Sequence, residues 1–169
     1  MRRVLLILAM VAGGMVVAAC GSDQSPATLT AAQISTLQKQ ADMYQIDQIE
    51  VTWHKAASMK DLDLMMSIWA DNATFQISTH TYSGKDQIRA FWAQAAPFQP
   101  KNVWVDETPA YKARITVSGN TGTLYFECHF VDVPTRKLVG VVATQLDVAH
   151  IGGRWLITKS IGSTPILSP

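Results

Sequence analysis

The side chains able to do chemistry in this sequence are few and scattered. The four histidines are His54, His80, His129 and His150, and no two of them stand at helical spacing. There is no CxxC pair and no other metal-ligand spacing, so neither a metal nor a cofactor is expected. The two cysteines are Cys20 and Cys128. Cys128 lies in an apolar, strand-like run and reads as a buried thiol, because a nucleophilic thiolate needs a nearby cation or imidazole. His54 follows Trp53, about 100° around a helix, so with Trp53 inward it is expected to face away. His129 alternates with Cys128, and only one of the two can face inward. His80 and Tyr82 follow a short strand. Asp147 is the best single polar candidate for a site, and its direction can be worked out. Gly152-Gly153 is a two-residue hairpin signal, so Ile151 pairs with Arg154 and counting back sets Asp147 opposite Thr158. Leu146, Val148, His150, Trp155 and Ile157 then share the apolar face. Asp147 points the other way, to solvent or a partner, unless a bulge intervenes.

The elements that must position these residues follow from pattern. Thr30 with Gln33 fits a capping box. Ile34, Leu37, Ala41 and Tyr44 make one apolar stripe. Ile46, Ile49, Trp53 and Ala56 or Ala57 make another, shifted by about half a turn. The shift predicts a separate first segment and a main helix over 42–59. Asp61 caps a second helix over 62–70. Ala73–Ser78 alternates, with Phe75 and Ile77 on one face. Ser83-Gly84 turns the chain into a third helix over 85–96, which shows Ile88, Phe91 and Trp92 at helical spacing. Pro97, Pro100 and Asn102 then lead to four strand-like runs: 103–117, broken around Thr108-Pro109, then 123–133, 138–151 and 154–161. Helices first and a strand meander second is the pattern of an α+β domain.

With 48% apolar residues in 169, the chain is one domain able to bury a substantial core. A net charge of +1, without Lys/Arg clusters interleaved with aromatics, argues against nucleic acid as a partner. At the start, Arg2 and Arg3 precede an apolar run that closes on Val17-Ala18-Ala19-Cys20. The run is short for a membrane span, which takes about 20 apolar residues. The closing tetrapeptide resembles the bacterial lipobox. That resemblance implies cleavage before Cys20, acylation of its sulfur and new N-terminus, and membrane lipid as a partner on the outer side of a bacterial membrane. Two acyl chains at one site suffice for stable anchoring. An ordinary secretory signal with a bystander Cys20 is the alternative. Gly21–Leu29 is small and polar, as a tether would be. The resulting plan is a signal peptide over 1–19, lipidated Cys and tether over 20–32, a domain over 33–163 and a tail over 164–169.

Asp61-Leu62-Asp63, then Trp69-Ala70-Asp71-Asn72-Ala73-Thr74-Phe75, then Gly84 through Ile88 to Phe91-Trp92 stand in a telling order. Together they resemble the nuclear transport factor 2-like superfamily, in its SnoaL-like and ketosteroid-isomerase-like branch. The resemblance implies a cone-shaped α+β roll, with three N-terminal helices wrapped by a strongly bent, mostly antiparallel sheet. It also implies an apolar pocket for a small ligand, lined by Trp53, Trp69, Phe75, Ile77, Trp92, Phe126 and Cys128. Ordinary core packing is the competing reading of each. The isomerase branch needs a carboxylate base, a tyrosine donor and a protonated Asp. Matching the joint puts Ile77 at the base and Trp53 at the tyrosine. Ile77 cannot take a proton, and an indole N–H is a weaker donor acid than a phenol. Gln145-Leu146-Asp147-Val148 resembles the strand that carries the acid donor, which puts Asp147 there. Three functions follow. The first is a membrane-tethered module that binds an apolar ligand or envelope partner without isomerase chemistry. The second is an isomerase, cyclase or dehydratase using Asp147 with a His or Tyr. The third is an accessory subunit of an envelope assembly. The outer sheet face is where a homodimer would form.

Overall fold

A computed structural model describes residues 28–99, 104–106 and 113–167. The signal segment with Cys20, most of the tether and the Thr108-Pro109 break lie outside the described residues.

The first helix, α1 (Ala31–Met59), begins at the capping box: the Gln33 amide donates to Thr30 Oγ1 at 3.2 Å, and the Thr30 amide donates to Gln33 Oε1 at 2.8 Å. It is one unbroken rod of 29 residues, about 43 Å long at the usual rise. The expected break near residue 42 does not occur. The two apolar stripes lie on different faces of the same helix. Residues 31–41 are exposed throughout, whereas Ile46, Ile49, Trp53, Ala56 and Ala57 are buried. Among the described residues, burial against the sheet begins in the second half, and the stripe changes face where that covering begins. Lys60 ends the helix in the left-handed conformation, φ 58°.

Helix α2 (Leu62–Ser67) is capped by Asp61, whose side chain accepts from the Leu64 amide at 2.9 Å. It stops short of the expected residue 70, and Trp69 and Ala70 already belong to strand β1 (Trp69–Ile77). The cause is pairing: the Ile157 amide donates to the Ile68 carbonyl at 2.8 Å and Trp69 registers with Ile157, drawing the chain into the sheet. Strand β2 (His80–Ser83) returns beside β1. Gly84, at φ 81°, turns into α3 (Lys85–Gln94), and a 3-10 turn (Ala96–Phe98) follows.

Strands β3 (Trp104–Asp106), β4 (Ala113–Ser118), β5 (Thr121–Asp132), β6 (Lys137–Ile151) and β7 (Arg154–Leu167) complete a seven-stranded sheet. Its order is β2-β1-β7-β6-β5-β3, with β4 also on β5. Only β1–β7 is parallel among the described strands, so the sheet is mostly antiparallel, as the family resemblance implied. Strand β7 runs on to Leu167, past the expected end at residue 161, because it pairs with β6 as far as Val141. The inner face carries Leu124, Phe126, Cys128, Thr144, Leu146, Val148, Ile157 and Ser160, all buried. Strand register sets this face against the second half of α1. Among the described residues, no helix is long and apolar enough to cross a membrane.

Candidate functional site

The interior is organised around Trp53. Its ring meets Trp92 edge-on at 5.0 Å between centroids, Phe126 edge-on at 5.5 Å, and Trp69 at 6.0 Å. Phe75 closes the cluster, 5.7 Å from Trp69, 5.6 Å from Trp92 and 4.8 Å from Phe91. Strand alternation sends Ala73 and Phe75 inward, and the helical spacing of α3 sends Ile88 and Trp92 to meet them. Cys128 stands beyond Phe126 on the same face of β5 and is buried. Ile77, at the end of β1, is partly buried against the cluster and pairs with His80. The structure thus brings the seven apolar positions proposed from sequence into one interior.

Two ionisable side chains stand in that interior. Glu50 and His54 are 2% and 0% exposed, and His54 Nδ1 lies 2.6 Å from Glu50 Oε2. The two groups are in close contact, off the line of an N–H···O hydrogen bond. The His54 ring meets Phe126 edge-on at 5.3 Å, which ties the pair to the aromatic cluster. The expectation that His54 faces away is therefore wrong. Helix α1 is covered by α2 and by strands β3, β4, β5 and β7, so a rotation of about 100° from Trp53 does not leave the interior. Asp47, one turn earlier, has its carboxyl pushed above the ordinary value by burial and then by the Glu50 charge.

Asp147 is not brought to this site. Its neighbours Leu146 and Val148 face inward, and Asp147 stands half-buried on the opposite face between Thr123 and Lys159. The expected pairing with Thr158 is displaced to Lys159 by a bulge, in which the Thr158 hydroxyl donates to the Asp147 carbonyl at 3.2 Å. The bulge re-phases β7 and leaves β6 as it was. His80 and His150 are exposed, and Tyr82 stacks on Phe75. His129 does alternate with Cys128. It lies in a ladder on the outer face of β5: Arg114 sits 4.1 Å above the Tyr125 ring, the Tyr125 hydroxyl donates to Glu127 at 3.0 Å, and His129 Nε2 lies 3.5 Å from Glu127. Burial, then the hydrogen bond to Glu127 and its charge, push the Tyr125 phenol above its ordinary value. Among the described residues, no group of His, Cys, Asp and Glu is arranged to hold a metal ion.

Sequence reasoning passed over Glu50. No two histidines are spaced to act together, whereas Glu50 stands four residues before His54, a spacing that puts a carboxylate beside an imidazole on one helix face. That spacing lets a carboxylate fix an imidazole's orientation, which suits the ring either to exchange a proton or to bind one polar group of a ligand.

Comparison with known proteins agrees with this architecture. The SnoaL-like domain family matches residues 51–155. A nuclear transport factor 2-like protein with a cystatin-like fold from Novosphingobium aromaticivorans superposes with a TM-score of 0.69 at 14% identity, over 81% of this chain and 90% of its own. A nuclear transport factor 2-like protein of unknown function from Pseudomonas putida gives 0.64 at 16% identity, over 74% and 87%. A protein from Streptomyces avermitilis, described provisionally as a dehydratase of the same family, gives 0.60 at 14% identity, over 76% and 99%. At such identities the likeness is one of fold. Comparison with curated protein sequences finds no match.

Proposed function

The chain belongs to the SnoaL-like domain family, and from that premise we propose that it takes a small, predominantly apolar molecule between α1 and the inner face of the sheet. The observation that carries this reading is the buried Glu50–His54 pair beside the Trp53 cluster. Ligand sites combine an aromatic lining with a few placed polar groups. A core built for stability alone gains nothing from such a pair, since well-packed apolar residues often serve as well or better. Isomerase chemistry of the ketosteroid kind is not part of the proposal. The family resemblance puts Ile77 where the base would be needed, and Asp147 is on the other face of the sheet.

The test is to purify the full-length chain, extract it and identify co-purifying compounds by mass spectrometry, then titrate it with steroid-like and fatty-acyl probes. Saturable binding that is weakened at least tenfold in Trp53→Ala, with the fold retained by circular dichroism, is the expected result. Binding unaffected by that change would contradict the proposal. A second reading, acid–base catalysis, is favoured by the same carboxylate–imidazole geometry. Turnover of a probe, such as double-bond migration in a 3-keto-Δ5-steroid, lost in both Glu50→Gln and His54→Gln would select it.

The same proposal places the domain on the outer side of a bacterial membrane through an acylated Cys20. It is supported by Val17-Ala18-Ala19-Cys20 after a basic, then apolar, start. The outer-face ladder of Arg114, Tyr125, Glu127 and His129 is the surface offered to a second copy or an envelope partner.

A further inference from the structure

The first half of α1 carries an apolar edge that none of the described residues covers. Residues 31–41 are exposed throughout. Ile34, Leu37 and Tyr44 are 55%, 50% and 66% exposed, and Ala41 is exposed between the last two. The fold uses a different face of the helix, since the stripe that packs on the sheet begins at Ile46. The exposed half is nevertheless held in place. It stands off the sheet across an open cleft walled by Gln38, Asn120 and His150, and the Trp155 indole N–H ties it there by donating to Asp42 Oδ1 at 3.2 Å.

The spacing of the edge says what it fits. Ile34, Leu37, Ala41 and Tyr44 stand three, four and three residues apart, the alternation that keeps one narrow seam of a helix turned toward a second helix. Gln33, Gln38, Gln40 and Gln45 flank the seam on both sides. A helix that lies on a membrane shows a broad apolar face with lysines or arginines beside it. Here the apolar edge is narrow, and Lys39, the only basic residue in 31–47, stands on the far side of the helix. A helix of another protein is selected by complementary charges at the flanking positions. These carry none, so two identical seams meet without repulsion, and their glutamine amides both donate and accept across the join.

Side-chain size sets the direction of the pair. Parallel helices would bring Ala41 against Ala41 and leave a gap with no partner atoms. Antiparallel helices bring Leu37 over Ala41 and Ile34 onto the Tyr44 ring. The same register sets Ile46, where packing on the sheet begins, near Ala32 of the second copy, so the two domains stand at opposite ends of the pair. We propose that the Ile34–Leu37–Ala41–Tyr44 seam pairs antiparallel with the same seam of a second copy of this chain, a closed two-fold contact. Three turns of helix are too few to pair as free peptides. The second half of α1 is already packed on the sheet, so pairing nucleates no new helix. The contact is separate from the outer sheet face, because α1 packs on the inner one, and it does not depend on a ligand in the interior.

The test is photo-cross-linking of the full-length chain in the bacteria that express it, which captures a weak contact in place. With Tyr44→p-benzoylphenylalanine, irradiation is expected to give a covalent dimer of this chain, and peptide mapping is expected to find the attachment within residues 31–37 of the second copy. The same photoreactive group at Lys39, on the far side, should give no dimer. Leu37→Glu, at an exposed position, should lower the dimer yield of the Tyr44 variant about tenfold or more, the scale of one lost leucine contact. Adding Ala41→Lys should restore it, because the new carboxylate at position 37 then faces the new amine at position 41 of the other copy. Absence of a dimer from the Tyr44 variant overturns the proposal, and so does attachment to lipid, to another protein or to the outer sheet face. Attachment near residue 44 of the second copy, or no rescue by Ala41→Lys, overturns the antiparallel register. A dimer yield that Leu37→Glu leaves unchanged overturns the seam itself.

Discussion

Replacing Trp53 by alanine tests the packing of the whole interior. The side chain is 3% exposed and its ring touches those of Trp69, Trp92 and Phe126. Truncating a buried aromatic to alanine costs about 3–5 kcal/mol. Aromatic pairs contribute about 0.5–1.5 kcal/mol beyond their burial, and three such contacts put this site toward the upper end. At this chain length each kcal/mol lowers the midpoint by about 2–4 °C, so the melt should fall by roughly 6–20 °C. Circular dichroism at 222 nm with a thermal ramp, checked by urea titration at constant slope, reads the change. Trp53→Phe keeps a ring in the cluster and should recover much of the loss. A midpoint within about 2 °C of the parent chain would show that Trp53 is not the hub, and the register of α1 against the sheet would have to be redrawn.

Gly122 lies where β5 passes under α1. A Cβ there would overlap the Thr116 carbonyl oxygen and meet Ile46 Cδ1 at 3.2 Å, so Gly122→Ala should cost about 1–3 kcal/mol; an unchanged urea midpoint would refute the close approach. The Thr135 hydroxyl and amide hydrogen bonds hold the Asp132 carboxyl below its ordinary value of 3.8. A depressed folded-state value means that its contribution is present above the unfolded value and is lost as pH falls through the folded one. Asp132→Asn should therefore melt below the parent at neutral pH and converge with it in acid; a constant gap across that range would exclude ionisation as the cause. Cys20→Ser should abolish labelling by radioactive palmitate and leave the precursor uncut, and unchanged partitioning into a detergent phase would place the anchor elsewhere.

Local chemistry made much of the fold legible. The Thr30–Gln33 box, the Asp61 cap and the Gly152-Gly153 hairpin each name their own partners within a few residues, and each stands where expected. What failed depended on distant partners. Trp69 and Ala70 fit a helix by local preference, but β7 claims them. The change of stripe in α1 suggested a break because sequence does not show how far the sheet reaches along the rod. His54 was read outward because the reasoning allowed the helix one buried side, whereas α1 is wedged between strands and α2. The face of Asp147 was legible from alternation, but its partner was not, because the bulge at Thr158 has no Gly or Pro to announce it. Glu50 was the missed residue of the candidate site, visible only to a search for carboxylate–imidazole pairs four residues apart.

The central claim is that a ligand enters the interior beside Glu50 and His54, and the four histidines make this directly measurable. His80 and His150 are exposed, His129 lies in the outer-face ladder, and His54 alone of the four stands in the Trp53 interior. The full-length chain, labelled with 15N in its histidines and assigned by single His→Gln substitutions, is titrated with an apolar probe that binds. The His54 ring resonances are expected to shift saturably with the calorimetric affinity while those of His80 and His150 stay in place. Saturation that moves His129 or His150 and leaves His54 untouched would place the ligand outside the interior and contradict the account.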